Sequence, residues 1–447
     1  MEPDDFIMDE QTYFDLKVDQ TKRNSFSIYD LFKKTKTIGA RDRLKEILKK
    51  PTNKFKDIKL RSEAISALIT TPINLDIYHD QFDLILHYLN FQKAYSNGNN
   101  IDSLISHLKN EISESASYYT ILIGLKQLLS LFKYSSELIT VLRKTDSEYL
   151  FILAERIEAI LNVSELSYVL ELSKKGKLLF YEIGKLDFII RRKTKLPIID
   201  LLHIFYELDI LETIANTALE QDLCMVDYIQ QDSLQIEVKG LFHPGIKHAV
   251  RNDIKFNSDE HCVFLTGSNM AGKSSLLRSL GTAIYLAHLG FPVPAKRMST
   301  TILNGLITTI NLGDDPAAGL SHYLNEVIRV RKITEVLEQH KKVVVLLDEL
   351  FRGTNPEDAY AATEIVMNGF SKIPQSAFMI SSHLSKLTHQ LEPLNIIFKH
   401  LEHTIDSEGL TFTYKLKDGV SKEGIGMYFI HKEDIPKRLA DIIKVRS

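Results

Sequence analysis

Residues 263–277 read VFLTGSNMAGKSSLL, and no other stretch constrains the chain as much. Gly267 and Gly272 bracket four residues and are followed by Lys273 and Ser274, the glycine-loop pattern that cradles nucleotide phosphates. The apolar run Cys262 to Leu265 before the loop predicts a buried strand. After it, Leu276, Leu277, Leu280, Ala283, Ile284 and Ala287 recur at helical spacing. In a strand–loop–helix unit, backbone N–H groups and the positive end of the helix can hold phosphate oxygens. Lys273 would reach the β- and γ-phosphates, and the Ser274 hydroxyl would bind Mg²⁺.

A second apolar run, Val343 to Leu347, ends in Asp348 and Glu349, 75 residues beyond Lys273 (348 − 273). Such a strand is expected beside the loop-bearing strand. Asp348 would hold Mg²⁺ through water, and Glu349 would orient or deprotonate the attacking water. A third run ends at Ser381-Ser382-His383, which makes His383 a candidate γ-phosphate sensor.

The 447 residues suggest two to three domains. Residues 1–25 read as a polar lead-in. Residues 26–231 are helical in pattern, with apolar stripes such as Leu201, Ile204, Phe205, Leu208, Leu211 and Ile214. From residue 232 to 447, strand-like runs near Leu234, Val263, Leu306–Leu312, Val343, Phe378 and Leu410–Leu416 alternate with helical ones, as in an α/β domain with a largely parallel sheet. The fold class expected is therefore α plus α/β.

A net charge of −3 does not mark the whole chain as a nucleic-acid binder. Two segments are locally basic. Twelve Lys/Arg face three Asp/Glu between Lys33 and Arg61, and eight face two between Lys174 and Lys195. Lys33, Lys34, Lys36, Arg41, Arg191, Arg192 and Lys193 are the candidate DNA contacts, against the plainer reading of solvated helix faces. The two cysteines make no metal pattern and point to a reduced, cytoplasmic compartment. No run of 18 apolar residues exists, so no membrane span is expected.

TGSNMAGKSSLLRSLG (266–281), LAHLGFPVPA, LGDDPAAGLSHYLNEV, LLDELFRGTNPEDA, ISSH and GIGMYFIHKEDIP together resemble the ATPase domain of the MutS family of DNA mismatch-repair proteins. Residues 28–65 resemble the start of the MutS core, or lever, domain, and 205–218 its last helices. The resemblance implies an all-helical core/lever domain followed by an ABC-type P-loop ATPase domain. The cofactors implied are ATP and Mg²⁺, and the assembly a homodimer paired through the ATPase domain and its C-terminal helices. DNA and other repair proteins are the implied partners.

Carried over residue by residue, Gly267, Asn269, Met270, Ala271, Gly272, Lys273, Ser274 and Ser275 would bind nucleotide, and Ser274 and Asp348 the metal. Glu349 and His383 would be catalytic. Ser321 would reach the partner's nucleotide in trans, and Asp358 would lie near the dimer interface. His243, His248 and Phe256 are alternatives for stacking on the base. Ser268 stands where the family usually has Pro, and Leu320 where Arg is frequent. The resemblance begins at the core domain, so the expectation is a chain without the mismatch-reading domain. Phe180-Tyr-Glu182 and Phe205-Tyr-Glu207 copy its Phe-x-Glu motif only in letters and read as packing. The rival readings are a nucleotide-switched accessory protein of the same family without DNA affinity and, more distantly, an ABC transporter subunit.

Overall fold

The structure, a computed structural model, describes residues 5–19, 26–92, 116–175, 178–268, 270–310, 322–383, 387–406, 409–421 and 425–446. It contains helices together with mixed parallel and antiparallel sheets, in agreement with the α plus α/β expectation. The chain forms two compact units. One comprises residues 29–221 and 289–292, the other residues 1–28, 222–288 and 293–447.

The first unit is helical. Its main helices are α3 (Ile38–Leu48), α4 (Phe55–Thr70), α5 (His79–Asn90), α6 (Ala116–Leu142), α7 (Glu148–Leu161), α8 (Ser167–Ser173), α9 (Phe180–Phe188) and α10 (Lys195–Glu220). They follow α1 (Glu10–Asp15) and α2 (Ile28–Phe32) in the chain. α10 is apolar around most of its circumference and packs against α3, α4 and α7. Asp209 lies fully buried within it. Its carboxylate accepts from Lys36 N (2.9 Å), Thr37 N (2.8 Å) and Thr37 Oγ1 (2.9 Å), tying the start of α3 to the central helix. Burial still pushes the Asp209 carboxyl above its ordinary value. Glu182 is held by Lys175 (2.6 Å) and Leu179 N (2.8 Å), Phe205 is fully buried, and Glu207 accepts from Tyr149 (3.1 Å). The packing expectation for the Phe-x-Glu look-alikes holds for these side chains.

The second unit holds two sheets. A four-stranded sheet has the order β1 (Val226–Ile229), β5 (Arg297–Thr301), β2 (Gln235–Leu241), β3 (Asn252–Asn257). A six-stranded sheet runs β10 (Gly409–Asp418), β9 (Ile397–Asp406), β4 (Cys262–Thr266), β8 (Ala377–Ser382), β7 (Val343–Asp348), β6 (Gly305–Thr309). All its pairings are parallel except β10 on β9. The apolar residues of β4, β7 and β8 are buried throughout, which is why they read as unbroken apolar runs rather than alternating ones. Phe264, Val345, Leu347 and Phe378 pack with Ile333 of α12 (His322–Gln339) and with Met367 and Phe370 of α13 (Pro356–Phe370).

Strand order corrects one expectation. β7 does not lie beside β4, because β8 intervenes. The apolar runs are alike in composition, so only the pairing pattern reveals their order. β1, β3, β5 and β9 were not anticipated, and the sheet region opens earlier than residue 232, at Val226.

The N-terminal lead-in is part of this unit. Phe6, Ile7, Leu16 and Val18 are buried. Ile7 runs parallel to the β6 edge, donating to Asn304 O (2.8 Å) and accepting from Leu306 N (2.9 Å). Thr308 N donates to Thr12 Oγ1 (2.9 Å), while Thr308 Oγ1 and Ile310 N each donate to Asp15 Oδ2 (2.8 Å). Arg329 donates to Thr308 O (2.7 Å) and pairs with Asp9, the N-cap of α1. An edge strand exposes unpaired amides and carbonyls, and here residues 5–15 cover them.

Candidate functional site

Thr266 ends β4, and the loop that follows uses two positive φ angles, Gly267 at 144° and Gly272 at 96°. Gly272 is the N-cap of α11 (Lys273–Ala287). A side chain there would adopt a left-handed backbone and put its Cβ 3.2 Å from the Tyr414 ring. Lys273 is buried and folds back over the loop, donating to Gly267 O (2.6 Å) and Ser268 O (3.0 Å). Its Nζ also stands 3.3 Å from Glu349 Oε1.

At the end of β7, Asp348 accepts from the Ser274 hydroxyl on one oxygen and from the Ser381 hydroxyl on the other. Glu349 follows in a left-handed conformation, φ 51°, with its amide bonded to Ser381 O (3.0 Å). Its carboxylate meets Arg352 at 3.0 Å and His383 Nδ1 at 4.0 Å. Burial opposes ionisation of Glu349, but Lys273 and then Arg352 outweigh it and hold the carboxyl below its ordinary value. Glu349 is therefore an anion at neutral pH.

Thus the structure brings Gly267, Gly272, Lys273, Ser274, Asp348, Glu349 and His383 together at one end of the parallel sheet. Ala271 is buried in the loop, Met270 is exposed, and Ser275 lies on the first turn of α11. Asn269 and Ser321 lie outside the described residues. Asp358 sits in the first turn of α13, capped by Asn355 (3.0 Å).

Beside the loop is a cleft of about 520 Å³, lined among others by His243, Lys247, His248, Met270 and Tyr414. Burial, with Arg278 and Lys17, pushes the His243 imidazole down to about 4, so it is neutral at physiological pH. Phe256 is fully buried in β3 and is not among the cleft's lining residues, which removes it from the three base-stacking alternatives.

Tyr414 and Arg352 were missed from sequence. Tyr414 reaches the cleft because the β9–β10 register shifts between Phe412 and Leu416, with Tyr414 at φ 56°. The Asn252 side chain stitches that shift, donating to Tyr414 O (3.0 Å) and accepting from Leu416 N (2.8 Å). An aromatic residue in a polar alternating strand was the available signal, but the bulge that aims it was not.

Ser274 and Asp348 offer only oxygen, which suits a hard cation such as Mg²⁺. Among the described residues no group of three or more His, Cys, Asp or Glu could enclose a metal. An ion here would complete its shell with water and phosphate oxygens, the usual mode for Mg²⁺.

The basic candidates lie in the helical unit and differ among themselves. Lys33 pairs with Asp30 (2.8 Å), Lys34 with Glu220, and Lys36 with Glu212 (2.9 Å). Arg191 is nearly buried. It makes a two-pronged contact with Asp187, its Nε donating to Asp187 Oδ1 at 2.7 Å, and lies over the Tyr88 ring. A π-helical turn over Ile189–Lys193 presents Arg191 in this way. Arg41, Arg192 and Lys193 are exposed.

Residues 263–445 match the family model described as MutS domain V. Proteins named DNA mismatch repair protein MutS are similar over about half of the chain. That of Persephonella marina is 29% identical over 245 residues, 53% of this chain and 28% of the relative. That of Aquifex pyrophilus is 30% identical over 238 residues, 52% and 27% respectively. That of Thermotoga maritima is 27% identical over 257 residues, 56% and 31% respectively. The matched stretch thus spans under a third of each of these relatives. Among the described residues no helix is long and apolar enough to cross a membrane.

Proposed function

We propose, from the premise that the chain belongs to the MutS family through its domain V, that it is a P-loop ATPase of MutS and ABC type which binds ATP with Mg²⁺ and hydrolyses it as a homodimer. The observation that carries this reading is the meeting of Lys273, Ser274, Asp348 and Glu349 at the loop that opens α11. The loop amides from Gly267 and Asn269 to Ser275 cradle the phosphates. Lys273 gives up Glu349 and its two loop carbonyls for the β- and γ-phosphates. Ser274 and Asp348 hold Mg²⁺, which neutralises charge on the transferred phosphoryl group. Glu349, ionised at neutral pH, orients the attacking water and takes its proton. His383, beside Glu349, senses the γ-phosphate. The base lies in the cleft against Tyr414, with His243 and His248 at its wall. Ser321 acts in trans on the second copy's nucleotide.

In this reading the helical unit converts nucleotide state into opening and closing around DNA. The setting is mismatch repair or a neighbouring DNA-maintenance pathway in the cytoplasm. One observation favours a second reading, a nucleotide-switched accessory protein. Lys33, Lys34, Lys36 and Arg191 already have acidic partners within the helical unit.

The test is the ATPase rate of wild type and Glu349→Ala, with and without homoduplex, mismatched and branched DNA. Turnover lost in the variant and stimulated by one DNA supports the clamp. Turnover indifferent to every DNA supports the accessory reading. Absence of nucleotide binding overturns both.

A further inference from the structure

Ser381 follows the apolar run Ala377 to Ile380 near the end of strand β8, and it is fully buried. A buried hydroxyl costs free energy unless it is hydrogen-bonded. This one is bonded to a carboxylate. Asp348 and Ser381 are direct partners in the β7–β8 register, and the Ser381 hydroxyl donates to Asp348 Oδ1. The other oxygen, Oδ2, accepts from Ser274 at the start of α11. The Ser381 backbone carbonyl accepts from Glu349 N (3.0 Å), and its hydroxyl oxygen lies 3.3 Å from the same amide. One residue of β8 therefore holds the Asp348 carboxylate that ends β7 and the backbone amide of Glu349 that follows it. A bond to an ionised acceptor is stronger than a neutral one, and it fixes the carboxylate plane.

We infer that Ser381 is a positioning residue for the metal-holding carboxylate, and that its hydroxyl sets Mg²⁺ affinity at this site. The inference rests on the P-loop ATPase reading. With Oδ1 tied to β8, Oδ2 is presented toward Ser274, where the ion's oxygen shell would be built. Without the hydroxyl, the Asp348 carboxylate loses the bond that selects its orientation. Groups that orient a metal-binding side chain without touching the metal commonly change metal affinity by about 10–100-fold.

The experiment uses the full chain as wild type, Ser381→Ala and Ser381→Thr. Equilibrium binding of a fluorescent ATP analogue is measured in EDTA and across a Mg²⁺ titration, with thermal melting alongside. Ser381→Ala should raise the Mg²⁺ concentration for half-maximal binding by about tenfold, with EDTA affinity and melting temperature close to wild type. Ser381→Thr, which keeps the hydroxyl, should restore the wild-type Mg²⁺ midpoint. An unchanged midpoint in Ser381→Ala overturns the inference. So does equal loss of binding with and without Mg²⁺ in both variants, which marks a purely structural residue. Wild-type chain that binds no nucleotide in any condition overturns the ATPase reading itself, and this inference with it.

Discussion

Lys273 Nζ stands 3.3 Å from Glu349 Oε1, and both side chains are buried. In this arrangement the two side chains form a buried ion pair, and on the proposed ATPase reading entering phosphates would compete with Glu349 for Lys273. Glu349→Gln removes the competitor and the base together. Turnover should fall by about 10²–10⁴-fold, while equilibrium ATP affinity stays equal to wild type or rises. Phosphate release and nucleotide binding, measured on the same preparation, check this. Loss of binding in the variant would mean that Glu349 instead holds the loop in shape.

The same ion pair has a pH signature. The folded-state Glu349 carboxyl lies below its ordinary value of 4.5, because Lys273 and Arg352 outweigh the opposing effect of burial. Its stabilising contribution is therefore fully present above that ordinary value and is lost as pH falls through the lower folded value. Urea unfolding of wild type should weaken more steeply below pH 4.5 than that of Glu349→Gln. Parallel acid limbs would refute the assignment.

Asp15 satisfies the Thr308 hydroxyl and the Ile310 amide from a fully buried position. Asp15→Ala would leave both donors without their carboxylate, at about 1–3 kcal/mol each. Melting of the sheet-bearing unit should fall by roughly 4–24 °C, taking about 2–6 kcal/mol in all at about 2–4 °C per kcal/mol. Calorimetry would reveal this as a shift of one transition. A change under 1–2 °C would mean that residues 5–15 are dispensable to the β6 edge.

Tyr414 tests where the base goes. Its truncation to Ala should weaken ATP binding by about five- to tenfold, the scale of one aromatic stacking contact. Tyr414→Phe should bind nearly as wild type. Neither change should alter the Mg²⁺ midpoint. Equal ATP affinity in all three proteins would move the base elsewhere in the cleft.

Arg191 and its neighbours separate packing from DNA contact. Arg191→Ala strips the guanidinium from buried Asp187 and should cost about 3 kcal/mol in the helical unit. Arg192→Ala with Lys193→Ala should change stability by no more than about 0.5 kcal/mol for each exposed site. If this face meets duplex DNA, the double variant should flatten the log–log salt dependence of binding by about 2. An unchanged slope would remove Arg192 and Lys193 as phosphate contacts.

What the sequence determined by itself was local. The glycine loop, its strand and helix, the apolar runs at Val343 and Phe378, and the carboxylates that end β7 were legible, because each is written within one short window of residues. The strand near Leu306 was found as β6, and Ser381-Ser382-His383 was seen to end a strand. Tertiary structure alone decided the order of those strands, with β8 between β4 and β7. It also decided that a buried serine on β8 would hold Asp348, that a bulge would turn Tyr414 toward the loop, and that a π-helical turn would spend Arg191 on Asp187. The polar lead-in became a clasp in the same way. Its Asp15 bonds Thr308 across 293 residues of chain. Hydrophobic periodicity says which face of an element is buried, but not which element buries it. That choice is made by the backbone donors and acceptors left on strand edges, which must find partners once the sheet is assembled.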